Sequence, residues 1–366
     1  MDLTLIIAIT TLAISSTIAM LYKSLLDRKS KIEVKTVNYL PTSNISTFIN
    51  RTEEIELILN NCINSTQKSI IGIFGIAGIG KSQLMLEIGR ICNERKIFNF
   101  IYYIRAQELP YDPKEDFGDQ LQKYFFSTIF YSLQISRNNI SDLEKDAIVR
   151  ATIQKNRILL LIDGLDEVTN NDENSRFLDF LNSLPHTTKI IITSRTRMDV
   201  QLSIFLKPFT KSVTDSLIQN NENTIIFKNK LTEEDFQKIY ELTSGIPYLI
   251  NFVLSLLHDY SIESVLSKIE TEKIKFLDSM IENQNLKLSK SQIQILIILA
   301  AAEKPLSSED IFIKLNKSIS KLDTEDFLLN LYSRNFLISK ENKYLFQQEF
   351  KNYVNNKWGK TNVWVK

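Results

Sequence analysis

The sequence predicts an α/β protein: a parallel sheet with helices on both faces, followed by helical domains. Three observations lead there. First, short stretches such as Ile70-Ile71-Gly72-Ile73-Phe74, Ile158-Leu159-Leu160-Leu161-Ile162 and Ile190-Ile191-Ile192 are apolar almost without a break. Strands read this way when both faces of a sheet are covered. Second, segments with helical spacing separate these runs, the alternation that builds a parallel sheet. Third, the runs end in polar groups: Lys81-Ser82 behind a glycine-rich turn, Asp163, and Thr193-Ser194-Arg195. In such a sheet, ligands sit outside the carboxyl ends of the strands.

The elements follow in order. Residues 3–22 carry no formal charge and are long enough to cross a bilayer as a helix. Asp2 precedes them, whereas Lys23, Arg28, Lys29 and Lys31 follow. The positive-inside rule therefore predicts a single-pass membrane helix, with the N-terminus outside and all later residues cytoplasmic. A cleaved signal peptide would want the basic residues before the apolar run, and a buried soluble helix would show a polar face. The small residues Thr4, Ala8, Thr11, Ser15 and Ala19 form a stripe, but without G-x-x-x-G it reflects mainly how common Thr and Ser are in this segment. Residues 1–30 are thus assigned to the anchor and its basic flank, and 31–47 to a linker punctuated by Pro41.

A core domain is predicted over 48–205. It opens with a helix carrying Ile55, Ile58, Leu59, Cys62 and Ile63 on one face. Strands follow at 69–74, 99–105, 157–163 and 189–195, with helices at 116–134 and 141–155. Beyond 205 the strands mostly stop, apart from a candidate at 224–227. Residues 206–288 read as helices, one opening at Thr232 with Asp235 at capping-box spacing and another resuming after Ser244-Gly245-Ile246-Pro247. In 289–358, three helices and a hairpin turning at residues 340–343 describe a winged helix, leaving 359–366 as a tail. The 366 residues hold 43% hydrophobic side chains, enough for cores in two or three domains. With 44 basic against 43 acidic side chains, no overall field would attract nucleic acid. Cys62 and Cys92 have no metal-site spacing and read as buried free thiols.

The chemistry centres on Gly75-Ile76-Ala77-Gly78-Ile79-Gly80-Lys81-Ser82, which fits G-x-x-x-x-G-K-[ST] between a strand and a helix that opens through Gln83. Glycines let successive N–H groups curl around a phosphate, and the helix start aims its positive end at the same anion. Lys81 is expected on the β- and γ-phosphates and the Ser82 hydroxyl on Mg²⁺. Asp163 ends a buried strand expected beside that loop, where a carboxylate would hold Mg²⁺ through its water shell. Asp166 and Glu167 follow within a turn, placed to orient the water that attacks the γ-phosphate, and the sequence does not choose between them. Arg195 is the candidate γ-phosphate sensor, with Arg197 as its rival. His186 and His258 read as structural or exposed.

These motifs, in this order, resemble the STAND class of P-loop NTPases, the signalling group containing NACHT and NB-ARC domains, over about residues 48–357. Asp163-Gly164-Leu165-Asp166-Glu167 is closer to the NACHT form. The resemblance implies that Gly245-Ile246-Pro247 is the proline turn of a lid domain, with Pro247 packing on the base and Arg51 at the adenine-ribose end. Asn50 stands where the family usually has glycine. In the winged helix the family often places a histidine that reaches the ADP phosphate; here the matching residue is Gln347, a donor without charge. The expected activity is slow ATP hydrolysis in a switch that ADP holds closed and ATP opens for homo-oligomerisation, with defence or stress signalling in bacteria as its setting. ATP or ADP and Mg²⁺ are the implied cofactors. No repeat array follows the winged helix, so a separate sensor or effector protein is expected, the alternative being a truncated member. The rival functions are an ATP-dependent winged-helix transcription regulator and a constitutive membrane ATPase or chaperone. No nucleic-acid partner is expected, because residues 324–332 offer no cation.

Overall fold

The computed structural model describes residues 37–41, 51–64, 70–108, 117–133, 140–165, 171–220, 231–257, 259–282, 288–315, 319–346 and 348–358. Residues 38–366 form one compact unit; of the other, residues 1–37, only Val37 is described. The predicted membrane segment at 3–22 therefore lies outside the described residues. Among those that are described, no helix is long and apolar enough to cross a membrane.

Among the described residues, six strands make the main sheet: β1 (Val37–Tyr39), β2 (Ile70–Phe74), β3 (Phe100–Arg105), β4 (Ile158–Asp163), β5 (Thr188–Ser194) and β6 (Leu202–Phe205), in the order β1-β3-β4-β5-β2-β6. The pairs β3–β4, β4–β5, β5–β2 and β2–β6 are parallel. Every residue of β2, β4 and β5 is buried, as their unbroken apolar runs require. Helices α1 (Thr52–Asn64), α2 (Lys81–Glu94), α3 (Phe117–Ser132), α4 (Asp142–Lys155) and α5 (Asn171–Ser183) accompany the sheet. Helix α2 is buried along Leu84 to Gly89, and Gly89 permits its close approach: a Cβ there would stand 2.9 Å from the Leu161 side chain on β4.

Two strands depart from the expected order. The stretch read as a linker at 31–47 contains β1, and the sheet ends in β6, four residues that alternate between buried and exposed. The candidate strand at 224–227 lies outside the described residues. The acid-bearing strand β4 is also not the neighbour of the glycine-loop strand β2, because β5 runs between them.

A second cluster is all helical: α6 (Lys211–Asn220), α7 (Glu233–Thr243), α8 (Pro247–Leu256) and α9 (Ile262–Glu282). Ile218, Ile239, Ile250, Val253, Val265 and Ile269 form its core. The capping box foreseen at Thr232 is present: Asp235 N–H donates to the Thr232 hydroxyl at 3.3 Å, and Thr232 N–H to the Asp235 carboxylate at 2.8 Å. The final segment contains α10 (Lys290–Ala301), β7 (Leu306–Ser307), α11 (Ser308–Lys314), α12 (Lys321–Ser333), β8 (Leu337–Lys340), β9 (Lys343–Phe346) and α13 (Gln348–Trp358). Its three strands form an antiparallel sheet in the order β7-β9-β8, and α10 packs on α13. Tyr353 and Lys357 of α13 both donate to the Asp278 carboxylate on α9, joining this segment to the helical cluster.

Candidate functional site

The glycine-rich loop leaves β2 after Phe74 and turns on three positive φ angles: Gly75 at 152°, Gly78 at 69° and Gly80 at 97°. Ile76 and Ile79 anchor it in the core. Gly80 is the N-cap of α2 and makes no side-chain cap bond, and a Cβ there would meet nothing within 4 Å. Open space thus faces the first turn of a buried helix, the arrangement that receives an anion. Lys81 curls back over the loop, its Nζ donating to the carbonyls of Gly75 and Ile76 at 2.9 Å each. Gln83 is exposed in the same first turn.

Asp163, only 6% exposed at the end of β4, accepts three hydroxyl groups. The Ser82 hydroxyl donates to Oδ1 at 2.7 Å, Thr193 also donates to Oδ1, and the Tyr103 phenol donates to Oδ2 at 2.8 Å. Thr193 in turn accepts from the Gly164 N–H at 2.9 Å, which fixes its hydroxyl. Burial, and after it the charge of Asp163, push the Tyr103 pKa up to about 12, so the phenol keeps its proton and stays a donor. The three residues come from α2, β5 and β3; together they span the two strands flanking β4 and the loop beyond. Ser82 itself crosses from the loop to Asp163 over the intervening strand β5, from which Thr193 adds a second hydroxyl to the same oxygen.

The loop tip is covered from the helical cluster. The Tyr248 N–H at the start of α8 donates to the Gly78 carbonyl at 3.1 Å, and the Tyr248 ring stacks on Phe276 of α9 with centroids 5.0 Å apart. Arg51, just before α1, donates to the Lys207 carbonyl at 2.7 Å and to the Ile79 carbonyl at 3.4 Å. Its guanidinium also pairs with Glu54 at 3.1 Å and lies 4.6 Å from the centre of the Phe209 ring. Burial draws the Arg51 pKa down, opposed by the Glu54 carboxylate. On the β5 side, the buried Asn335 donates from Nδ2 to the Arg195 carbonyl at 2.6 Å and accepts from Arg197 Nε at 2.9 Å. The Arg197 guanidinium sits between the rings of Phe205 and Tyr332, 4.2 and 3.8 Å from their centres.

Residues 48–253, more than half of the chain, match the model of a family described as an ATPase domain predominantly from Archaea. The chain belongs to that ATPase family. A curated relative is the disease resistance protein RPP2A of Arabidopsis thaliana, 27% identical over 201 residues. The match covers 54% of this chain but only 14% of that protein. Among solved structures, the Walker-type ATPase PABY2304 of Pyrococcus abyssi superposes with a TM-score of 0.58 at 17% identity, covering 84% of this chain and 96% of that one. At that identity the likeness is one of fold.

The residues of this ATPase fit a nucleotide phosphate with a divalent cation. Among the described residues, no group of three or more His, Cys, Asp or Glu side chains could hold a metal ion. Asp163 and Ser82 offer one carboxylate and one hydroxyl, a set that suits a small cation which keeps most of its water and takes its other ligands from phosphate. Ser82 and Asp163 would hold Mg²⁺, which when bound offsets charge on the phosphates. Lys81, the Gly80 turn and the start of α2 would bind the phosphate oxygens.

Of the residues singled out from sequence, the ATPase fold brings Gly75 to Ser82, Asp163, Thr193 and Arg51 together. Arg195 directly follows Ser194, which pairs with Phe74 at the end of the loop strand. Its rival Arg197 is held by Asn335, Phe205 and Tyr332, which gives it a packing role. Pro247 begins α8, and the next residue, Tyr248, makes the contact to the loop. Asp166, Glu167 and Gln347 lie outside the described residues, as does His258; His186 is exposed. Cys92 is a buried free thiol whose pKa burial pushes up to about 12, and the Cys62 side chain lies outside the described residues. Sequence reasoning missed Tyr103, Phe209, Tyr248 and Asn335. The adjacent tyrosines in β3 were the one available signal, since a strand turns them to opposite faces and each phenol needs its own partner.

Proposed function

We propose that this ATPase is a nucleotide-controlled signalling switch of the STAND class, with α6 to α9 as its lid and residues 289–358 as a winged helix. The observation that carries the reading is the bond from the Tyr248 N–H to the Gly78 carbonyl, with Tyr248 and Phe276 stacked over the loop tip. A lid seated on the phosphate loop gives the two nucleotides different surroundings, and only a ligand that binds two states unequally shifts their balance. In the closed state ADP and Mg²⁺ occupy the site; exchange for ATP frees the lid and exposes surfaces for oligomerisation, with slow hydrolysis resetting the switch. Arg195 is the γ-phosphate sensor, and Asp166 or Glu167 orients the attacking water. Arg51 and Pro247 line the adenine-ribose end, and Gln347 is a neutral donor toward ADP.

The resistance-protein relative supports a defence or stress role, with a separate sensor or effector protein supplying the signal. No nucleic-acid partner is part of this reading, since residues 324–332 offer no cation. The deciding experiment identifies the nucleotide that co-purifies with the detergent-solubilised full chain, then compares particle size in ADP and in a non-hydrolysable ATP analogue. The expected result is bound ADP, a small species in ADP and a larger one in the analogue. Equal sizes would reject the switch in favour of a constitutive ATPase.

The uncharged segment at 3–22 with its basic flank is the proposed anchor, holding the ATPase on the cytoplasmic face. Removing residues 1–24 is expected to move the protein from the membrane pellet to the supernatant. Continued sedimentation with membranes would refute the anchor.

A further inference from the structure

Asp163 is held on both carboxylate oxygens, and the two holds are of different kinds. Oδ1 takes hydroxyls from Ser82 and Thr193, the side that faces the phosphate loop, whereas Oδ2 takes the Tyr103 phenol from the neighbouring strand. We propose that Tyr103 is a positioning residue that sets the cation preference of the site: its phenol on Oδ2, set against the two hydroxyls on Oδ1, pins the carboxylate in one orientation and keeps it from turning both oxygens to a cation, which favours Mg²⁺ over Ca²⁺. The inference rests on the reading that Ser82 and Asp163 hold the cation.

The placement follows from strand register. In the parallel pair β3–β4, Tyr103 stands opposite Leu161 and Arg105 opposite Asp163. Residues two apart share a face of the sheet, so Tyr103, Arg105 and Asp163 lie on one side, and a side chain as long as tyrosine reaches the carboxylate from two residues back. Tyr102 points the other way and spends its phenol on the buried Ser132 hydroxyl at 2.7 Å. Arg105, opposite Asp163 on the same face, acts electrostatically on the Tyr103 phenol and strengthens it as a donor to the carboxylate.

The chemical consequence lies in how the two cations use carboxylates. Ca²⁺ accepts both oxygens of one carboxylate in a loose shell of six to eight ligands, whereas Mg²⁺ demands a compact octahedron and takes one oxygen or a bridging water. Pinned in one orientation, the carboxylate does not turn both oxygens to one cation. Removing the phenol frees the carboxylate to rotate, which weakens the orientation Mg²⁺ needs and opens the mode Ca²⁺ prefers. Partners that orient a metal ligand typically change metal affinity by about 10- to 100-fold.

The test measures binding rather than turnover. Mg²⁺ and Ca²⁺ are titrated separately into the full-length protein with a fluorescent ADP analogue, for wild type, Tyr103→Phe and Asp163→Asn. In Tyr103→Phe, the metal-free ADP affinity is expected to match wild type, with the apo melting temperature lowered by no more than a few degrees for the lost bond. The Mg²⁺ preference over Ca²⁺ is expected to fall about tenfold. A wild-type preference in that variant overturns the role of Tyr103. Should the phenylalanine variant melt early, Arg105→Met is read instead: a preference shifted in the same direction supports the proposal, and an unchanged one overturns it. The underlying metal site fails separately, and takes the proposal with it, if wild type binds ADP without metal dependence or if Asp163→Asn keeps the wild-type dependence.

Discussion

Replacing Lys81 with alanine is expected to lower nucleotide affinity by two orders of magnitude or more while leaving the protein folded. The Lys81 ammonium is held over the loop by the carbonyls of Gly75 and Ile76, both at 2.9 Å, which keeps it where a phosphate would enter. Two neutral carbonyls are weaker partners for a cation than phosphate oxygens, so the side chain has a strong reason to transfer to the ligand. Hydrogen bonds involving a charged group contribute about 1.5–3 kcal/mol each, and losing two of them costs about 3 kcal/mol or more, roughly 10²-fold in affinity. Folding should be spared because Lys81 is only half-buried and its two bonds are to carbonyls of its own loop, so it joins no other element to the core. Titration of a fluorescent ADP analogue reads the affinity, and a thermal melt without nucleotide reads the fold. Binding by the alanine variant as tight as that of wild type would mean that the phosphate does not sit in this loop.

How far the site was legible depended on whether its residues announce themselves locally. Gly75, Gly78, Gly80, Lys81 and Ser82 do, because one backbone path with three positive φ angles and one helix start require those residue types in that order. Asp163 did as well: an acid closing an otherwise unbroken buried strand needs a partner. The strands β2, β4 and β5 were legible for the same reason, being buried on both faces. The edge strands β1 and β6 were not, since three or four residues are too few to carry a pattern. Tyr103 stayed hidden because an aromatic in a strand reads as core until the β3–β4 register is known. Asn335 stayed hidden for a different reason. Its positive φ of 61° marks only a local turn after α12, whereas its partners Arg195 and Arg197 lie some 140 residues earlier in the chain. The same residue marks the difference between the candidate Arg195 and its rival: Asn335 holds Arg195 by its backbone carbonyl but Arg197 by its side chain, which Phe205 and Tyr332 also enclose.

Gly245→Ala is expected to be the most damaging small substitution outside the phosphate loop, costing about 3 kcal/mol and loosening the cover over the loop. Gly245 has φ 70°, a region that costs an L-residue about 1–2 kcal/mol. An added Cβ would also stand 2.0 Å from the Phe209 carbonyl oxygen, a backbone atom with no rotamer to escape into. Relieving such an overlap by shifting backbone costs about 1–3 kcal/mol more. The shift would not stay local. The Phe209 N–H donates to the Gly245 carbonyl at 2.8 Å, and the Phe209 ring lies against Arg51, which in turn holds the carbonyls of Lys207 and Ile79. Two and three residues on from Gly245, Pro247 starts α8 and Tyr248 bonds Gly78. Any movement of the turn is therefore passed to the loop tip by two routes, one through Arg51 and one through Tyr248. A melting temperature lowered by several degrees is expected, together with faster release of bound nucleotide, because Tyr248 no longer sits squarely on Gly78. Tyr248→Ala removes the ring without touching the turn, so it should speed nucleotide release with a smaller loss of melting temperature. If Gly245→Ala melted with wild type and released nucleotide at the same rate, the turn would not be the rigid joint between the sheet and the helices that cover it.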